Sequence, residues 1–110
     1  MDKFILIKQS FYCNYDVIKF DIISIRKTIK EIKSMKESDI NNIIYALDEL
    51  YTKLFQTNIK EIVLSMEMML MCECSYSVDK LLSGLEVIHS SLLKKENLYK
   101  KYMNFIDNLE

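Results

Sequence analysis

Apolar residues recur along this chain at alternating spacings of three and four. In the first third, Tyr15, Ile18, Ile22, Ile25, Ile29 and Ile32 fall on one such stripe, which places them down one face of a helix. Val17, Phe20 and Ile23 widen the stripe. Extended backwards, the register takes in Phe11, Ile7 and Phe4, so the pattern predicts one helix from about residue 3 to 35. Phe4-Ile5-Leu6-Ile7 and Phe11-Tyr12-Cys13 also suit a strand. Residues 3–12 therefore stay open between helix, strand and irregular arm.

Lys36-Glu37-Ser38 interrupts the stripe. Ser38 is of N-cap type, and Asp39 is placed to meet the positive end of a helix dipole. A second helix follows on Ile40, Ile44, Leu47, Tyr51 and Leu54, flanked by Ile43, Leu50 and Phe55, and stops near Gln56-Thr57. Asn58 is expected to cap a third helix, with Glu61 as its capping-box partner. That helix carries Ile59, Ile62, Val63, Met66, Met69 and Leu70, with Leu64, Met68 and Met71 on other sides. It is the most nearly all-round apolar element and is expected to be the most buried. Ser77 caps the last helix, with Asp79 in its first turn. Its stripe reads Val78, Leu81, Leu85, Ile88, Leu92, a gap at Lys95, then Tyr99, Tyr102, Ile106 and Leu109. It runs from 78 to 109 unbroken or steps at Lys94-Lys95-Glu96-Asn97. The expected core is Ile22, Ile25, Ile29, Leu47, Tyr51, Ile62, Met66, Leu85, Ile88 and Leu92.

The joints near 36–38, 56–58 and 75–77 are short, which forces consecutive helices to lie side by side and antiparallel. The fold expected is all-α: a single domain over 1–110, an antiparallel up-down four-helix bundle with long first and last helices. At 1.5 Å per residue the outer helices would be roughly 50 Å long and the middle pair about 25–30 Å. Antiparallel order puts both surpluses at one pole. Residues 3–14 and 96–109 project there together, carrying Phe4, Ile7, Phe11, Tyr12, Tyr99, Tyr102, Phe105, Ile106 and Leu109. Two helices alone cannot cover that much apolar surface, and an uncovered patch of this kind usually marks a binding site.

Composition sharpens this outline. There is no Pro and one Gly, Gly84, which favours long uninterrupted helices over turn-rich β folds. A net charge of −1 gives no basic field for nucleic acid. The charge is uneven: residues 1–36 carry eight Lys/Arg against four Asp/Glu, and residues 37–79 carry two against eight. A basic first helix is expected beside an acidic middle hairpin, or turned toward an acidic partner. Fourteen Lys against one Arg, Arg26, with abundant Ile, is the bias of an AT-rich genome and hints at a virus, a phage or a low-GC bacterium. Phe4-Ile5-Leu6-Ile7 is too short for the apolar region of a signal peptide, and no apolar run is long enough to span a membrane. Three cysteines (Cys13, Cys72, Cys74) read as free thiols in a reducing, cytoplasmic setting.

Candidate chemistry is thin. Glu86-Val87-Ile88-His89 matches half of a Glu-x-x-His di-iron motif, but His89 is the only histidine, so one chain cannot supply the second half. It reads otherwise as a partly exposed histidine beside the stripe. Cys72-x-Cys74 lacks the spacing of zinc knuckles, and no Cys–His nucleophile arrangement is apparent. These cysteines read as small buried side chains near the end of the third helix. One glycine excludes a Gly-rich phosphate loop. Ser77, Gly84 and Ser91, seven apart, form a small-residue seam for close helix packing or for a partner helix. Met66, Met68, Met69 and Met71 read as core filler, or as an adaptable binding surface. No catalytic, cofactor or metal site is expected, and no small-molecule substrate.

The leading expectation is a non-enzymatic interaction protein of inhibitor, modulator, immunity or escort type. It would bind another protein or a second copy of itself through Phe4, Ile7, Phe11, Tyr12, Tyr99, Tyr102, Phe105 and Ile106, unless the N-terminal segment folds back over them. The alternative is a structural subunit that oligomerises through its long helices. The general layout is similar to bacteriocin immunity bundles and to small viral Bcl-2-like proteins, the latter implying a central third helix. No motif carries either likeness, and no family is assigned.

Overall fold

A computed structural model describes residues 2–35, 40–72 and 76–109. The chain forms four helices, α1 (Lys3–Ser34), α2 (Ile40–Lys53), α3 (Thr57–Met71) and α4 (Val78–Asp107), with no strand among the described residues. Residues 3–12 are helical, and α4 runs unbroken through Lys94–Asn97. Caps define two of the starts. The Phe4 N–H donates to Asp2 Oδ1 at 3.0 Å, and the Lys80 N–H donates to Ser77 Oγ at 3.2 Å, each filling one orphan donor of a first turn. The expected joint at 36–38 with its Ser38 cap, and Cys74, lie outside the described residues.

The helices form an antiparallel up-down bundle drawn out into a rod of 56 × 21 × 19 Å. Side-chain pairs fix the directions. Arg26 meets His89 and Lys33 meets Glu86 near one end of α1 and α4, while Tyr12 meets Asp107 near the other. Lys33 and Lys8 pair with acids of α4, so in these ion pairs the basic first helix leans on the last helix. The core runs from Ile18, Ile22, Ile25, Ile29 and Ile32 through Ile43, Leu47, Leu50, Leu54, Ile59, Val63 and Leu70 to Leu81, Leu85, Ile88 and Leu92. Among the described residues, no helix is long and apolar enough to cross a membrane.

Several expectations are corrected. Ile62 is exposed, and Tyr51 only packs against the core from its edge. α3 faces inward through Ile59, Val63, Met66, Glu67 and Leu70, leaving Leu64, Met68, Met69 and Met71 exposed. It is an edge helix rather than a central one, because it covers one side of the long pair rather than being ringed by the others, although five of its fifteen residues are buried, the largest share of the four helices. Of the methionine run only Met66 is core. Cys72 is exposed rather than buried. Asn58 does not cap α3: the helix starts one residue earlier, at Thr57, behind Gln56, so Asn58 and Glu61 sit inside it and form no capping box. α2 ends at Lys53, sooner than its apolar pattern suggests, because a buried carboxylate captures the next backbone amides.

Candidate functional site

That carboxylate is Asp21, fully buried on α1. The Phe55 N–H donates to its Oδ1 at 2.8 Å, and the Gln56 N–H and Nε2 donate to its Oδ2 at 3.1 and 3.0 Å. Gln56 Oε1 in turn accepts from Lys95 Nζ of α4 at 3.3 Å. The α2–α3 hairpin is thus pinned at its tip to both long helices, and this pin sets where its cover ends. Beyond it, residues 3–17 of α1 and 98–107 of α4 pair alone as a two-helix stem, roughly 20 Å long at 1.5 Å per residue.

The stem has its own seam. Phe4, Phe11 and Tyr15 are half-buried, as are Tyr99 and Met103 opposite, and Ile106 is buried. The Phe11 ring lies 5.4 Å from Tyr99 and 6.1 Å from Tyr102, tilted and edge-on, as ring quadrupoles prefer. The seam position expected of Ile7 belongs to Lys8. Its aliphatic stem lies inward while its ammonium reaches Asp107 Oδ1 at 3.1 Å. The Tyr12 hydroxyl donates to the same carboxylate at 3.0 and 3.1 Å. The Lys8 ammonium, then the Tyr12 hydroxyl, hold the Asp107 carboxyl below its ordinary range. Among the candidate binding residues, then, Phe4, Phe11, Tyr99 and Ile106 build the seam. Tyr12 clamps it, and Ile7, Tyr102 and Phe105 face outward.

The register of the outward residues shows what the stem lacks. On α1, Ile7, Asn14, Asp21 and Thr28 are seven apart and share one flank. Asp21 and Thr28 are buried under the hairpin, and Ile7 and Asn14 are exposed. On α4, Leu81, Ile88 and Tyr102 likewise share one register, with Lys95 at the pin, and Leu109 follows in the turn just past the helix end. Leu81 and Ile88 are 0% and 8% exposed, whereas Tyr102 and Leu109 are 48% and 58% exposed. The neighbouring register, at the edge of the roofed side, passes from half-buried Gly84 and exposed Ser91 to Leu98 and Phe105, the last two 47% and 63% exposed. One side of the α1–α4 pair is therefore roofed by α2–α3 over half its length and bare over the rest.

The remaining candidates resolve locally. Gly84 lets α3 approach: a Cβ there would lie 2.7 Å from the Met66 Cε methyl. Below that contact, α3 and α4 flank a cleft of about 320 Å³ lined by Ile59, Ile62, Val87, Ile88, Ser91 and Leu92 among others. His89 is half-buried and accepts from Arg26 Nε at 3.3 Å. Burial, then the Arg26 charge, lowers its pKa. Glu86 is engaged with Lys33 at 2.9 Å, and no group of three metal-ligating side chains gathers among the described residues. Two residues escaped the sequence reading, Asp21 and Glu67. Glu67 is buried on α3, with an Oε2 that finds no partner. Burial, then Asp48, pushes its carboxyl up to about 7. The available signal was a charge embedded in an apolar stretch: Asp21 between Phe20 and Ile22, Glu67 between Met66 and Met68.

The arrangement can bind by apolar contact, and among the described residues it sets out no nucleophile beside a base. No family model, curated protein or solved structure matches the chain.

Proposed function

We propose that this chain is a non-enzymatic protein–protein interaction module, of inhibitor, modulator, immunity or escort type, whose docking surface is the bare side of the stem. One observation carries the reading: the heptad register buried beneath α2–α3 continues down the stem as Ile7 and Tyr102 with no cover, and Leu109 lies exposed just past the end of α4. Burying one such side chain is worth about 1.5–3 kcal/mol, so leaving several in water forgoes much of what a partner would gain. Exposed thiols at Cys13 and Cys72 suit a reducing, cytoplasmic setting. A second reading, a structural assembly subunit, is favoured by the bare side belonging to the two longest helices.

The test is affinity capture from the native host with mass spectrometry, comparing the natural chain with Tyr102→Asp/Phe105→Asp. These two positions are preferable to Phe11, which supports the seam. Loss of the captured partner with helicity intact is the expected result. Capture unchanged by the double substitution would move the site elsewhere, first to the exposed Ile62, Leu64, Met68, Met69 and Met71 of α3.

A further inference from the structure

We infer that the occupant of the bare stem is a second copy of this chain, laid stem on antiparallel stem about a twofold axis. The inference rests on the reading of the stem as a docking surface and names its partner. The bare side is two helices wide, about 20 Å long by helical rise, and closed at one end by the hairpin tip. In the other half of the rod the same registers are covered by an antiparallel helix pair. A second stem is also an antiparallel helix pair, with matching width, length and apolar register, so it continues the packing that α2–α3 begin.

Sterics select the orientation. Stacked in parallel, two chains would bring both α2–α3 hairpins between their long helices and hold the stems apart. Stacked antiparallel, each hairpin lies beyond the tip of the opposite stem and the two apolar sides close directly, which is an isologous contact. α4 then lies on α4, with Tyr102 near the axis and Leu98 toward Phe105 and Leu109 of the other copy. With about 150–250 Å² on a fully exposed aromatic side chain and somewhat less on Leu or Ile, the half-exposed Ile7, Leu98, Tyr102, Phe105 and Leu109 offer on the order of 500 Å² per chain. Doubled, that is about 1,000 Å², the size at which a specific interface begins and below the roughly 1,200–2,000 Å² of standard ones.

The experiment is light scattering on the purified full chain across a concentration series. The expected mass is twice the 13.1 kDa of one chain, falling to one chain in Tyr102→Asp/Phe105→Asp at equal helicity. Should that variant lose helicity, Leu98→Lys, a single change on the exposed rim, gives the same mass readout. Orientation is read with Cys13, Cys72 and Cys74 replaced by serine. Ser10→Cys or Tyr102→Cys should close a disulfide between copies. Leu109→Cys should not, since antiparallel stems hold those two positions about 20 Å apart by helical rise. A monomer at every concentration overturns the second copy as occupant, and the stem survives as a site only if a captured host protein is still lost in the stem variants. A dimer indifferent to the stem substitutions overturns both readings. Disulfides through Leu109→Cys as ready as those through Ser10→Cys overturn the antiparallel arrangement.

Discussion

Replacing Asp21 by Ala tests the link between sequence, joint and stem. The side chain is fully buried and takes three hydrogen bonds from Phe55 and Gln56. Bonds to a charged acceptor contribute about 1.5–3 kcal/mol each, and a buried donor left unsatisfied costs about 1–3 kcal/mol. The three donors share one acceptor group, so their losses do not add fully. Asp21→Ala is expected to cost about 3–5 kcal/mol, a large part of the roughly 5–15 kcal/mol stability of a small domain. Asp21→Asn keeps one acceptor oxygen but turns an amide NH₂ toward the Gln56 donors, and should cost about 2 kcal/mol on the same scale. Urea titration by circular dichroism gives the totals. Hydrogen exchange gives the location: the Phe55 and Gln56 amides should be protected in the natural chain and fast in Asp21→Ala. Asp16→Ala, an exposed control on the same helix, should stay within about 0.5 kcal/mol. A loss below about 1 kcal/mol for Asp21→Ala, or fast exchange of both amides in the natural chain, would refute the pin.

Three further outcomes are expected. Leu85→Ala and Ile25→Ala, both at 0% exposure, should each lose about 2–5 kcal/mol in denaturant titrations, and an unchanged midpoint would mean the core face is misassigned. Glu67 has a folded pKa of about 7 against 4.5, so the folded state holds the extra proton between those values. Its favourable contribution is complete below about pH 4.5 and is lost as pH rises through 7. Glu67→Gln should therefore gain up to about 3 kcal/mol at pH 8 and flatten the decline between pH 5 and 8, and an unaltered pH profile would count against a buried, protonated Glu67. Gly84→Ala removes a helix penalty of about 1 kcal/mol but crowds the Met66 methyl. Because that methyl ends a flexible side chain that can shift, the change should stabilise by less than the full helix penalty, and by more in a Met66→Ala background; additivity of the two changes would show that the helices do not touch there.

The sequence marked out the elements more surely than their rotation. The run from Ile18 to Ile32 is apolar at alternating spacing and, apart from Phe20 and Ile23, polar elsewhere, so its inward face was legible. In α3 both Ile59/Val63 and Ile62/Met69 offer apolar registers, and a helix apolar on every side carries no phase. The stem misled differently. Ile7 looks like the seam residue, yet Lys8 takes the position because a two-helix seam is shallow enough for an amine to reach Asp107. Leu54 and Phe55 extend the α2 pattern, but they leave the helix because Asp21 draws off the next amides. That cause lies over thirty residues away, and no local pattern displays it. The long outer helices and their shared pole followed from joint spacing alone.

The clamp between Tyr12 and Asp107 joins positions 95 residues apart. Closing so long a loop is entropically costly and must precede any reward from the contact. The turn at Asp21, by contrast, closes only 34 residues. Kinetically the molecule is therefore two-tempered: the pinned hairpin and its half of the long pair are placed to form the folding nucleus, and the stem to zip last. Phe11→Ala should then leave the folding rate nearly unchanged and speed unfolding, a φ-value near zero, while Leu47→Ala should slow folding. By the same asymmetry, hydrogen exchange should find the stem opening more readily than the pinned half of the rod.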